Sequence, residues 1–179
     1  VGRPITSFSD AIASCLWLHD RGPDIVVITS MVIPTDPGHI FMLASQRLGG
    51  RGEDMAGSEE LEGGATSPPC MFRLKIPRIA GTFTGTGDLT AALLLAWHSK
   101  HGCDLKLVLE KVAATLQTVI KHTYRVRGDR GELCLIQNKH AIEEPDFGAF
   151  SAEQISPADI HASLGLKQSK CSSLKSADA

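Results

Sequence analysis

Gly85-Thr86-Gly87-Asp88 leads directly into Leu89-Thr90-Ala91-Ala92-Leu93-Leu94-Leu95-Ala96-Trp97, and this junction constrains the chain more than any other stretch. A helix that is apolar almost all round belongs between the layers of a fold, so the loop at its start is held rigidly. The two glycines let the backbone turn tightly and approach a bound group. The first N–H groups of a helix lack intrahelical acceptors, and together with the helix dipole they favour an anion such as a phosphate. Asp88 at that point has two readings. It can accept the proton of a hydroxyl attacking the phosphate, which is the chemistry of a small-molecule kinase. It can equally cap the helix by taking free N–H groups and complementing the dipole.

The surrounding pattern is that of an α/β domain. Ser7 or Ser9 can cap a helix running to about His19, and Gly22-Pro23-Asp24 breaks it. Ile25-Val26-Val27-Ile28 is a continuous β-branched run, the mark of a strand covered on both faces in a parallel sheet. A second strand is expected over 39–45, and Met71-Phe72-Arg73-Leu74-Lys75-Ile76 alternates like a strand with one buried face. Asp104 precedes a long helix whose core face is Leu105, Val108, Leu109, Val112, Leu116, Val119 and Ile120. Arg127-Gly128-Asp129-Arg130-Gly131 reads as a turn, and Glu132-Leu133-Cys134-Leu135-Ile136 as a final strand. Residues 49–69 are rich in glycine and acids and read as a mobile insertion: a surface segment or a nucleotide lid. Residues 151–179 read as a poorly ordered tail with one short helix over 158–166.

Composition narrows the partners. With 179 residues, 42% apolar and 21% charged, the chain has the balance of an ordinary globular domain. A net charge of −2 gives no electrostatic case for nucleic acid or an anionic membrane. There is no apolar run of membrane-spanning length. The five cysteines are scattered without a C-x-x-C pair and read as reduced cytosolic thiols, neither a disulfide framework nor a zinc site. His98, His101 and His122 show no ligand spacing and read as solvated helix residues.

Several separated motifs in one order resemble the pyridoxal kinases of the animal type. They are Gly2-Arg3-Pro4-Ile5, the stretch Gly22 to Ser30, the stretch Ile76 to Lys100 with its Gly-Thr-Gly-Asp core, and Gln137-Asn138-Lys139…Ile142-Glu143-Glu144-Pro145. The resemblance covers 2–48 and 70–147. It implies a ribokinase-like α/β fold in which 1–150 is the C-terminal, ATP-binding part of a mostly parallel sheet flanked by helices. It also implies ATP-dependent phosphorylation of the 5′-hydroxyl of pyridoxal, pyridoxine or pyridoxamine, in the cytoplasm and by a homodimer when intact. Magnesium or another divalent cation and a monovalent cation, K⁺ or Na⁺, are the implied ions.

The same resemblance assigns roles by position. Asp88 is the expected general base, and Gly85, Thr86 and Gly87 the cradle of the transferring phosphate. Thr29 and Ser30, at the expected C-terminal end of a strand, face the ATP phosphates, with Thr29 also at a monovalent-cation site. The bland alternative for this pair is hydroxyls satisfying local backbone groups. Ile79, Ala80, Gly81 and Phe83 correspond to the wall around adenine and ribose, with ordinary loop packing as the alternative. The vitamin-binding pocket, its covering loop and the magnesium-organising motif of the family come from an N-terminal half that does not precede Gly2. The chain therefore reads as the C-terminal portion of such a kinase, a truncated form, or an incomplete sequence, and a non-catalytic nucleotide-binding or subunit-interaction role is the competing expectation.

Overall fold

The computed structural model describes residues 4–47, 68–102 and 104–163. The chain opens with α1 (Phe8–His19), capped by Ser7, whose hydroxyl accepts the Asp10 N–H at 3.1 Å. Asp10 reaches back to accept the Thr6 N–H at 3.1 Å, one residue before the cap. Then follow β1 (Ile25–Ile33), β2 (Asp36–Gln46) and β3 (Cys70–Pro77). The short β4 (Thr82–Thr84) leads into α2 (Thr86–His101) and the long α3 (Leu105–Arg127). The chain closes with β5 (Arg130–Glu132), a 3₁₀ turn (Ile136–Asn138), α4 (Lys139–Glu143), β6 (Glu153–Ile155) and α5 (Pro157–Ser163).

The main sheet has the order β1-β2-β3-β6, and each adjacent pair is antiparallel. Among the described residues, the parallel pairing expected for this part of the fold is confined to β4 and β5. Helices α2 and α3 cover one face of the sheet, packing on Met42, Ala44, Leu74 and Ile76. Helix α1 and Ile160 of α5 cover the other, against Phe41, Leu43 and Met71. The strand buried on both faces is thus β2, where Phe41 through Ser45 are all buried. Its neighbour β1 is an edge among the described residues, and only Val26 and Met31 of it are buried. On α3, Val108, Leu109, Val112, Ala113 and Val119 are fully buried. Each such aliphatic side chain removed from water stabilises the layer by about 1.5–3 kcal/mol.

Four expectations need correction. Helix α2 buries only Leu89, Thr90, Leu93 and Trp97, and Leu95 is 75% exposed. The strand expected over 132–136 stops at Glu132, because side chains take the backbone of Cys134: its N–H donates to Thr123 Oγ1 at 3.1 Å and its carbonyl accepts from Asn138 Nδ2 at 2.6 Å. Residues 151–163, expected in a poorly ordered tail with one short helix, hold that helix as α5 and add the strand β6. There Ala152 N–H donates to Glu110 Oε1 at 2.9 Å, and Arg73 pairs with Glu153 at 2.8 Å. His101 stacks on Trp97 with its Nε2 buried, and His122 Nδ1 lies 3.1 Å from Asn138 Oδ1, so neither is simply solvated. The insertion at 49–69 and the segment beyond Ser163 lie outside the described residues, apart from Pro68 and Pro69.

Candidate active site

The site is built where the loop after β3 meets α2. Gly81 holds φ at +136°, and a Cβ there would sit 2.5 Å from the Asp129 carbonyl and 2.8 Å from the Phe83 ring. Only glycine lets this loop lie against the 128–132 segment. The contact is sealed by Thr82 N–H donating to Asp129 O at 2.7 Å and by the parallel pairing of β4 with β5. Gly85 then takes φ +92° as the N-cap of α2 with no side-chain cap, and the first helical bond is Leu89 N–H to Gly85 O at 2.9 Å. The N–H groups of Thr86, Gly87 and Asp88 therefore precede the helical ladder and have no intrahelical acceptor. The space a Cβ on Gly87 would fill is open.

Thr29 and Ser30 were expected at the end of a strand, but β1 continues past them to Ile33. They sit where its register with β2 slips between Ile28 and Met31. A bulge of this kind re-aims side chains, and both residues are exposed. They reach the same cavity as the loop and the α2 N-terminus.

That cavity measures about 230 Å³. Of the residues singled out from sequence, Thr29, Ser30, Ile79, Gly81, Phe83, Thr86 and Gly87 line it together. Ala80 and Gly85 do not, and neither does Asp88. Asp88 stands exposed in the first turn of α2, where its side chain makes no hydrogen bond or salt bridge among the described residues. It is not the cap; Gly85 is. Sequence reasoning did not assign Ile40, Met42, Ile76, Thr90, Leu116, Gln117 or Ile120 to the site, and these also line the cavity. Leu116 and Ile120 carried a helical-periodicity signal, but it marked them only as core.

Among the described residues no group of three or more His, Cys, Asp or Glu side chains could hold an ion. Cys15 and Cys134 are buried, Cys70 is half-buried, and all three are free thiols. Burial pushes the Cys15 thiol up to about 12, so it is inert as a nucleophile. No helix among the described residues is long and apolar enough to cross a membrane.

No family model matches the chain. The human pyridoxal kinase is 36% identical over 159 residues, covering 82% of this chain and 47% of that protein. The Arabidopsis thaliana pyridoxal kinase is 34% identical over 152 residues, covering 80% of this chain and 43% of that protein. Among solved structures, a Plasmodium falciparum PdxK with AMP-PNP and PL superposes with a TM-score of 0.67 at 26% identity, over 87% of this chain and 45% of that one. The Leishmania donovani pyridoxal kinase in complex with ADP and pyridoxine gives 0.65 at 26% identity, over 85% and 45%. By sequence and by fold the chain is similar to pyridoxal kinases, with their ribokinase-like α/β fold, and it spans about half the length of the curated relatives it matches.

Proposed function

We propose that this chain supplies the nucleotide-binding and phosphoryl-transfer part of an ATP-dependent kinase. Its acceptor is the 5′-hydroxyl of pyridoxal, pyridoxine or pyridoxamine, and the intact protein works in the cytoplasm as a homodimer. The observation that carries this reading is the convergence, on one cavity, of the α2 N-terminus, the Gly81 loop and the Thr29–Ser30 bulge. Named relatives hold ADP with pyridoxine, or AMP-PNP with PL, which supports the same ligand classes here.

In this reading the apolar wall of Ile79, Phe83 and Ile120 holds the base, and the free N–H groups of Thr86 and Gly87 point at the transferring phosphate. Such preorganised donors stabilise the charge that builds on the phosphoryl oxygens. The hydroxyl oxygen bonds to the γ-phosphorus as the bridge to the β-phosphate breaks, and Asp88 takes the hydroxyl proton. Asp88 has no internal partner to give up first, so its carboxylate is free to act as the base. Magnesium, bound mainly through nucleotide phosphates, would neutralise their charge. The described residues offer Asp88 and the Thr29 hydroxyl as single oxygens, not a cage, so neither the divalent nor the monovalent ion carries a step here.

One observation favours the second reading, a non-catalytic nucleotide-binding or subunit-interaction protein: Asp88 is exposed and does not line the cavity that the other site residues share. Positioning of an acceptor is worth about 7–11 kcal/mol of barrier lowering, and an unheld hydroxyl forfeits it. The purified chain is therefore expected to bind ADP weakly and saturably by calorimetry and to leave pyridoxal unphosphorylated. In a version with a complete acceptor site, Asp88→Asn should lower kcat by roughly 10²–10⁴-fold with little change in nucleotide affinity. Near-normal turnover in that variant would remove Asp88 from the role. Turnover by the 179-residue chain alone at an intact kinase's rate would overturn the partial-site reading.

A further inference from the structure

The main sheet has two edges among the described residues, and the chain treats them differently. At one, β6 is three residues long, carries Glu153 in a salt bridge to Arg73 at 2.8 Å, and leads into α5. Short strands and charged side chains are how proteins blunt a sheet edge against other chains. At the other lies β1, nine residues long, with β2 as its one hydrogen-bonded neighbour. Its sequence, Ile-Val-Val-Ile-Thr-Ser-Met-Val-Ile, has no charge and no proline. The surface beside it is apolar as well. A second cavity, of about 200 Å³, is lined by Ile25 and Val27 of β1 and by Leu94, Leu95 and His98 of α2. From Leu89 to Trp97 α2 carries no charge, yet Ala91, Ala92 and Ala96 are exposed and Leu95 is 75% exposed. Ala91, Ala92 and Leu95 stand three and four residues apart and so share one face. The outward face of a surface helix is ordinarily charged or polar, and this one is neither.

An unguarded edge flanked by an apolar helix face fits a partner that brings both a strand and an apolar face. We propose that this partner is a second copy of the chain, joined by antiparallel pairing of β1 with β1 across a two-fold axis. An antiparallel strand pair is its own two-fold mate, so one chain supplies both sides of the contact. No like charges meet in a strand that has none. The pairing runs over Ile25–Ile28, where the register with β2 is unbroken, and stops at the irregularity before Met31. Along that stretch Ile25 and Val27 pack toward the α2–α3 layer, and Val26 and Ile28 toward α1. A two-fold axis perpendicular to the sheet keeps each layer on its own side, so opposed residues share a face. Centred on Val26, it sets Ile25 against Val27 of the second copy and brings the two α2 helices, with Leu95, together on one side. Two four-stranded sheets become one. The inference goes beyond the nucleotide reading and gives the subunit-interaction reading a surface and a partner. Thr29 and Ser30 stay free to line the first cavity.

The test is sedimentation equilibrium of the 179-residue chain from low to high micromolar concentration. The expected result is a reversible monomer–dimer equilibrium whose larger species has twice the 19.1 kDa mass of the chain. Leu95→Lys places a charge at an exposed position, so its urea midpoint should match wild type. Two ammonium groups then meet near the axis, and the dimer should weaken about tenfold. Hydrogen exchange of wild type gives a readout that needs no variant. Amides over 25–28 should be more protected in the concentrated sample, while those over 81–85 exchange alike in both. A monomer at every concentration overturns the proposal and leaves the edge to an unlike segment, such as the portion of the longer relatives that this chain does not span. A dimer indifferent to Leu95→Lys, or one whose 25–28 amides exchange at the monomer's rate, places the contact elsewhere and also overturns it. Assembly that runs on past the dimer overturns the closed two-fold pairing. None of these outcomes bears on ADP binding, so the nucleotide reading stands or falls separately.

Discussion

Gly81→Ala isolates the one backbone position on which the site loop depends. The residue holds φ +136°, and the added Cβ would lie 2.5 Å from the Asp129 carbonyl oxygen and within 2.9 Å of two Phe83 ring atoms. The ring can move, but the carbonyl belongs to the backbone that accepts the Thr82 N–H at 2.7 Å. Holding an L-residue in such a conformation costs about 1–3 kcal/mol. Backing the Asp129 carbonyl away forfeits a further 0.5–1.5 kcal/mol or so for the lost hydrogen bond. The variant should therefore be roughly 2–4 kcal/mol less stable, a large share of the 5–15 kcal/mol typical of a domain. Urea unfolding followed by circular dichroism measures this as a drop in midpoint at unchanged slope. Gly38→Ala is the control: its Cβ meets nothing within 4 Å and it has no positive φ, so it should stay within about 0.5 kcal/mol of wild type. If Gly81→Ala unfolds with the Gly38→Ala midpoint, the loop is not pinned as described, and the argument for a preformed cavity fails with it.

Gly87→Ala separates fold from ligand: its Cβ meets no protein atom, so helix stability should hold or rise by about 0.5–1 kcal/mol, while ADP affinity by calorimetry falls as the methyl enters the phosphate space. Unchanged affinity would detach Gly87 from the anion. The hydrogen bond from Lys75, at 2.7 Å, and that from His39, at 2.6 Å, hold the Asp36 carboxyl below its usual 3.8. Because the folded value is lowered, the stability this group contributes is present above the unfolded value and is lost as pH falls through the folded one. Carboxyl ¹³C titration should show Lys75→Met moving Asp36 upward, and no movement would sink the assignment. Glu110→Leu strands the buried Ala152 N–H, with an expected loss of about 1–3 kcal/mol and faster amide exchange over 153–155; exchange at the wild-type rate there would mean β6 is held by its sheet partners alone.

How far the fold was legible depended on whether one element or its neighbours decided the pattern. Helices α1 and α3 announced themselves because their caps, Ser7 and Asp104, and their apolar stripes are local. The strands misled in an instructive way. The β-branched run at 25–28 resembles a strand covered on both faces, yet β1 has one hydrogen-bonded neighbour among the described residues. The doubly covered strand is β2, whose poor alternation is what two apolar faces produce: Phe41 and Leu43 pack toward α1, Met42 and Ala44 toward α3. Segment 132–136 had strand propensity, but distant side chains, Thr123 and Asn138, took its backbone bonds. Segment 151–163 was expected in a poorly ordered tail with one short helix, which is α5. It is fixed by three anchors far away in sequence: Glu110, the β3 edge, and the α1 cluster that receives Ile160.

The site divides along the same line. Gly85 and Gly87 were visible because a tight turn and open space before a helix are local backbone demands that only glycine meets cheaply. Gly81, Ile79 and Phe83 came only from the resemblance to the family. Leu116, Gln117 and Ile120 were not visible as site residues, because a helix that lines a cavity and a helix that fills a core show the same 3.6-residue stripe. The one discordant character was a polar Gln in that stripe, on a helix where Thr115 and Thr123 are also buried and polar but spend their hydroxyls on the carbonyls of Lys111, Ala141 and Val119. What distinguishes Gln117 is that half of its amide is spent and half is not. A sequence gives residue types, but only coordinates show which hydrogen-bonding groups remain without partners.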